Sequence, residues 1–366
     1  MKHRLDELAA YLKETGIDAA FINSPENFFY LTGFLTDPHE RLLGLVVFPE
    51  ADPMAVLPGM EKAQLQETGW SHEIIGYADH ENPWQMIKDS MNQAGITNVH
   101  HVGIEKEVLS YGRSESFFAL FDDAEVLDIE GKLNEMRVVK DEQEIAVLKE
   151  AAELADFGVK VGTEALNEGV TEMEVLAAIE YELKKKGVAQ MSFSTMVLFG
   201  EKSGHPHGNP GDRRLKEGDL VLFDLGVVWK GYTSDITRTF AFRSVNEKQK
   251  AIYETVLEAL NASLTISRPG TRIGDLDEAA RQVITEAGYG DKFPHRIGHG
   301  LGINVHEFPS MSHLNDGVLK EGMTYTLEPG IYDPEIGGVR IEDDVLVTSE
   351  GYVTLTETPK ELTIIK

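Results

Sequence analysis

Between residues 18 and 128 short apolar runs alternate with amphipathic stretches. Ala19–Ile22, Leu43–Phe48, Met54–Leu57 and Val102–Ile104 read as strands, and Trp84–Ala94 and Ser114–Phe121 as helices. Strands interleaved with helices predict an α/β layer structure, which places a smaller first domain at residues 1–128. The period then changes. After Lys140-Asp-Glu-Gln-Glu, an acidic opening turn, Ile145, Leu148, Ala152, Ala155 and Val159 recur at helical spacing. Thr171–Lys186 repeats that signal, with Glu174 three residues after Thr171 as a capping box and Gly187 as a stop. From Leu220 the pattern becomes that of hairpins, Leu220–Val228 with Asp235–Phe242 and Thr324–Ile331 with Gly338–Val347. Helical stretches at Glu247–Ser263 and Ile273–Ala287 separate them. Residues 129–366 are therefore expected to form an α+β domain with a mainly antiparallel sheet.

The hairpins carry acidic residues in unusual places. Asp224 and Asp235 are equidistant from the Trp229/Lys230 midpoint, so a turn there sets the two carboxylates opposite each other. Glu328 and Glu342 are likewise equidistant from Glu335, within a turn-forming stretch Asp333-Pro-Glu-Ile-Gly-Gly. Directly opposed like charges destabilise a strand pair unless something compensates them. One such pair alone reads more readily as the wet face of a strand. Two pairs set among apolar residues argue for bound cations. His299, in Ile297-Gly-His-Gly-Leu-Gly, adds an imidazole between glycines that let the backbone approach closely. Four carboxylates and one imidazole form a hard donor set suited to Mn²⁺, Mg²⁺, Co²⁺ or Zn²⁺. Two divalent ions would balance the four charges, and two such ions roughly 3.5–4 Å apart can share a hydroxide nucleophile and polarise a carbonyl.

Composition narrows the chemistry. With 34 Lys+Arg against 62 Asp+Glu the formal charge is −28, which repels nucleic acid and anionic membrane surfaces. There is no cysteine, so a metal here must sit on oxygen and nitrogen ligands. No apolar run approaches the roughly 20 residues needed to span a bilayer, and no secretory signal pattern opens the chain, so a cytoplasmic protein is expected.

Asp224 and Asp235 eleven residues apart, His299 in Gly-His-Gly, Glu328 in Leu-Glu-Pro-Gly and Glu342 in Arg-Ile-Glu-Asp-Asp resemble the five-ligand set of the pita-bread metallopeptidases. His207 in His205-Pro-His-Gly and His306 in Val305-His-Glu-Phe-Pro resemble the two further histidines of the proline-peptidase branch. Within it the chain is similar to bacterial Xaa-Pro dipeptidases, a likeness that extends to Leu31-Thr-Gly-Phe-Leu-Thr-Asp-Pro-His-Glu-Arg in the first domain. The resemblance implies a pita-bread catalytic domain behind a creatinase-like N-terminal α/β domain, and a homodimer. It implies two divalent metal ions, with manganese expected and cobalt or zinc as the other candidates. Asp235 and Glu342 would bridge the ions, Asp224 would complete one, and His299 and Glu328 the other.

The same resemblance makes Glu328 the proton shuttle and gives His207 and His306 to the scissile carbonyl or its oxyanion. A free substrate carboxylate calls for an arginine, for which Arg340 and Arg296 are the candidates. Arg340 lies two residues before Glu342 and so shares its strand face; a role beside Asp224 or Glu342 is the equal alternative. Thr237 and Tyr232 flank Asp235 and can orient it, strand packing being the plainer reading. The acidic stretch Asp141–Glu153 reads as a solvated helix face. Three rivals share the fold. An Xaa-Pro aminopeptidase uses the same metal centre on longer peptides, a creatinase-like amidinohydrolase lacks the ligands that are all present here, and a catalytically silent peptide binder need hold no metal.

Overall fold

The computed structural model describes residues 2–121 and 123–366. The chain divides into two compact units, Met1–Met136 and Arg137–Lys366, and the helix Glu130–Val138 crosses the division.

In the N-terminal unit six strands form one mixed sheet. Their order is Glu73–Tyr77, Met54–Pro58, Gly44–Val47, Ala19–Ile22, His101–Ile104, Glu125–Asp128. The four strands expected from apolar runs form its centre. The two edge strands carry half-exposed and exposed positions, which is why they lack a continuous apolar signal. Phe21 stacks on Phe117 with ring centroids 4.9 Å apart and anchors the core on one face of the sheet. A Cβ on Gly44 would lie 2.3 Å from that Phe21 ring, so the neighbouring strand needs glycine there.

The C-terminal unit repeats one plan, a pair of helices against a sheet. The helix Glu142–Glu164 opens with a capping box in which Asp141 accepts from the Gln143 and Glu144 amides at 3.0 and 2.9 Å and Glu144 accepts from the Asp141 amide at 2.9 Å. Glu172–Lys185 opens with the matching Thr171/Glu174 box, and Gly187 follows it with φ at +95°. These helices bury Ala151, Ala155, Val159, Val175, Ile179 and Leu183 against Val221, Phe223 and Leu225 of the strand Leu220–Leu225. In the second half Glu247–Ile266 and Ile273–Glu286 bury Ile252, Val256, Leu260, Leu276 and Ile284 with Tyr325, Leu327 and Val345. Each sheet thus spends its apolar alternate positions on helices, and the intervening positions face the other way. Among the described residues no helix is long and apolar enough to cross a membrane.

Candidate metal centre

The first acidic hairpin differs from expectation in one respect. Leu220–Leu225 pairs antiparallel with Ile236–Phe242, but Asp224 lies opposite Thr237, not Asp235. The cause is the turn. Trp229 pairs with Tyr232 across Lys230 and Gly231, whose φ values are +49° and +87°. A two-residue turn with both φ positive draws toward glycine, so it centres one residue later than the Trp229/Lys230 midpoint and shifts the register. Asp235 therefore sits diagonal to Asp224, on the same face by alternation.

The second hairpin has the expected register. Leu327 pairs with Asp343 and Gly330 with Arg340, which leaves Glu328 opposite Glu342 between them. Even-numbered positions on both arms share one face, so Tyr332, Arg340 and Glu342 point the same way as Glu328. His299 comes from the short strand Gly298–Gly300. A Cβ on Gly298 would lie 2.0 Å from the Thr326 carbonyl oxygen, so only glycine lets the chain pass close enough to bring the imidazole in.

These residues converge. Ligand atoms of Asp224, Asp235 and Glu342 lie within 4.8 Å of one another, as do those of His299, Glu328 and Glu342, and those of Asp235, His299 and His306. His299 Nε2 is 3.7 Å from both Asp235 Oδ2 and Glu328 Oε1. Its Nδ1 lies 3.2 Å from the Gly300 carbonyl, a partner that places the proton on Nδ1 and leaves the Nε2 lone pair free for a cation. Burial, then the neighbouring His306, pushes the His299 pKa down to about 3, so the ring is neutral. Burial raises Glu342 to about 8, with the Asp224 charge adding to it, and burial with the Glu342 charge raises Asp235 and Glu328 well above the carboxylate range. Asp224 Oδ1, Asp235 Oδ1 and Glu342 Oε1 are buried without a hydrogen-bond partner. Acceptor-only atoms left unpaired in a cluster of carboxylates are what a hard divalent cation satisfies, so the donor set fits the group expected from the sequence.

The surroundings tie the ligands down. Thr237 Oγ1 donates to Glu342 Oε2 at 2.6 Å and accepts from Arg340 Nε at 3.0 Å. Thr237 thus orients Glu342 rather than Asp235. Tyr232, the other residue expected to orient Asp235, gives its hydroxyl to Glu144 at 2.9 Å, and Glu144 is buried rather than part of a solvated face. Asp235 is held instead at its backbone, whose amide donates to Asp344 at 3.1 Å. Arg340 is buried, bonds Asp224 Oδ2 through Nη2, and donates through Nη1 to the Tyr332 hydroxyl at 2.9 Å. Tyr332 in turn lies 2.7 Å from His295 Nε2. The guanidinium is therefore committed to the ligands' surroundings.

Nine of the eleven residues singled out in the sequence line one cavity of about 380 Å³: His207, Asp224, Asp235, Arg296, His299, His306, Glu328, Arg340 and Glu342; Thr237 and Tyr232 are not in its lining. The cavity also takes in Phe193, Met196, Pro206, His295 and Val305, which sequence reasoning did not select. Strand parity with Arg340 and Glu342 is a signal that finds Tyr332. His295 has none, because it precedes the strand that carries His299. Arg296 is exposed at the cavity wall and donates to Ser310 Oγ at 3.0 Å. His207 is also exposed, on a loop pinned by the fully buried Glu172, which accepts from the Phe199 and Gly211 amides at 2.9 and 2.8 Å and pairs with Lys202.

Residues 146–349 match metallopeptidase family M24, and residues 4–139 match the creatinase/prolidase N-terminal domain. The chain belongs to metallopeptidase family M24, with a pita-bread catalytic domain behind a creatinase-type N-terminal unit. It is 60% identical over 99% of its length, and 100% of the relative's, to YkvY of Bacillus subtilis strain 168, which carries a provisional dipeptidase name. It superposes on the prolidase of Pyrococcus horikoshii OT3 with a TM-score of 0.90 at 36% identity, covering 98% of this chain and 99% of that one. An X-Pro aminopeptidase from Thermotoga maritima MSB8 follows at a TM-score of 0.87 and 30% identity, covering 96% and 98%.

Proposed function

We propose that the chain is a metal-dependent Xaa-Pro dipeptidase whose reaction takes place in the cavity of about 380 Å³ around Asp224, Asp235, His299, Glu328 and Glu342. The observation that carries this is the convergence on one cavity of three overlapping ligand groups with two exposed histidines and an exposed arginine. In this reading the five residues would hold two divalent ions, manganese by preference, since their donor atoms fall into overlapping groups. The bound ions supply Lewis acidity at the scissile carbonyl and acidify the attacking water.

The rest is work for the chain's own side chains. Glu328, the most accessible of the acidic set at 19% side-chain exposure, accepts the water's proton and later delivers it to the leaving proline nitrogen. His207 and His306 donate hydrogen bonds to the carbonyl oxygen as it gains charge. Proline carries no amide hydrogen, so a pocket without an acceptor at that point suits it, whereas an ordinary peptide would bury an unpaired donor there at about 1–3 kcal/mol. Arg296, exposed at the wall, receives the substrate's free carboxylate, while Arg340 holds Asp224. The same reading takes residues 129–366 as the catalytic domain, a homodimer as the assembly and the cytoplasm as the compartment. Small peptides, not nucleic acid or membrane, are its partners.

The competing reading is an Xaa-Pro aminopeptidase, the name borne by the Thermotoga maritima neighbour. Steady-state kinetics on Leu-Pro, Leu-Pro-amide and Leu-Pro-Ala separate the two. A dipeptidase has its highest kcat/KM on Leu-Pro and loses most of it on the amide, whereas preference for the tripeptide assigns the aminopeptidase activity. Arg296→Ala is expected to raise KM for Leu-Pro about tenfold and leave KM for the amide unchanged. An unchanged KM for Leu-Pro removes Arg296 from the carboxylate site.

A further inference from the structure

His306 stands on the exposed side of the cavity, and its ring packs edge-on against His299 with centroids 4.0 Å apart. Its aim is set by the backbone that carries it. The next residue, Glu307, begins the strand Glu307–Met311 and pairs with Gly300 across a register shift between His299 and Gly300. Glu307 is not in the cavity lining, and its carboxylate is 6% exposed. Lys140 Nζ, 2% exposed, lies 2.6 Å from Oε1, and Arg137 Nη2 bonds Oε2. The Asn304 amide donates to Oε2 at 3.3 Å, so the carboxylate also closes the loop that leads to His306.

That loop is fitted to the carboxylate. A Cβ on Gly302 would lie 2.3 Å from Glu307 Oε1, so any side chain there would push the carboxylate from its place. The Gly302 carbonyl accepts from the Thr233 amide and hydroxyl at 2.8 and 2.9 Å, two residues before Asp235. On the other side Lys140 is fixed by its own amide, which donates to the Gly322 carbonyl at 2.9 Å, and Val139 bridges to Met323. Breaking a buried ion cluster is costly even where forming it adds little net stability, so such a cluster specifies geometry.

We infer that Glu307, clamped between Arg137 and Lys140, is a positioning residue: it fixes residues 302–307 and so aims the His306 imidazole at the reacting carbonyl. The inference rests on the role given to His306 under the proposed function. It differs from that role in its test, because the clamp is visible without turnover.

Glu307→Gln, His306→Ala and the double variant are compared with the parent by amide hydrogen exchange of residues 302–309 and by kinetics on Leu-Pro with metal added. In Glu307→Gln, protection of 302–309 is expected to fall while the rest of the chain keeps its own. The kcat falls on the order of a hundredfold with KM within about twofold, as displacement of a catalytic group by about 1 Å produces. In the His306→Ala background Glu307→Gln changes kcat by less than about twofold, because two residues acting through one interaction are not additive. Equal fold-losses in both backgrounds, or unchanged protection, overturn the inference. If Glu307→Gln does not fold, Lys140→Met takes its place, with the same pattern expected at about tenfold and the same results counting against it. A parent inactive on Leu-Pro contradicts the substrate reading, and the exchange result alone then decides the clamp.

Discussion

Glu342→Gln is expected to lose metal and peptide cleavage together, with kcat/KM lower by on the order of a thousandfold or more. The buried carboxylate belongs to two of the groups that could hold a metal, and its Oε1 has no hydrogen-bond partner. Glutamine keeps the shape and the bond from Thr237, but it presents an amide donor where a cation belongs. The charge it removes is one the metal-free fold disfavours. Folding raises the Glu342 pKa from 4.5 to about 8, so the folded state binds the proton more tightly than the unfolded state. That contribution to stability is complete below about pH 4.5 and is lost as pH rises through 8. In EDTA the parent should therefore lose stability relative to Glu342→Gln between pH 5 and 9, read as urea midpoints. Metal analysis of both proteins checks the first half of the prediction. A variant that retains full metal content and activity excludes Glu342 as a ligand.

The largest effect on stability is expected from Arg238→Met, a loss of about 3–5 kcal/mol. The Arg238 side chain is 1% exposed and joins three segments behind the metal centre. Nη2 reaches Asp343 at 2.6 Å and the Thr358 carbonyl at 2.7 Å, Nε reaches the same carbonyl at 2.9 Å, and Nη1 bonds the Thr237 and Glu342 carbonyls. Methionine fills comparable space but takes the guanidinium away from the Thr358 and Glu342 carbonyls and leaves Asp343 with only Thr356 and Lys360, and stripping buried acceptors of their donor costs more than the lost bonds themselves. The urea midpoint in EDTA, where bound metal contributes nothing, measures the loss. Because Arg238 steadies the backbone of Thr237 and Glu342, metal affinity is expected to fall with it. A change below about 1 kcal/mol contradicts the role given to this side chain.

The strands and helices with one apolar face were legible because their alternation or helical period is written in the sequence. The acidic hairpins are legible for the same reason, and Glu328 opposite Glu342 follows from symmetry about Glu335. Asp224 opposite Asp235 failed because turn chemistry, not symmetry, sets register, and Gly231 draws the turn one residue along. What patterning could not show are contacts between elements distant in sequence. Thr237 on Glu342, Arg340 on Asp224 and Glu307 between Arg137 and Lys140 join residues about 100 or more positions apart. Nothing local marks such a pair, so the sequence alone leaves Arg340 two roles. His295 entered the cavity unannounced because it lies outside any regular alternation.

The measurement that tests the central claim most directly is Leu-Pro hydrolysis by protein stripped with EDTA, followed by titration with Mn²⁺, Co²⁺ and Zn²⁺ and metal counting at saturation. The expected result is no cleavage when stripped, recovery with added ions to a plateau near two equivalents per chain, and no recovery in Glu342→Gln. Undiminished cleavage by the stripped protein, or none with any of the three ions, contradicts the account.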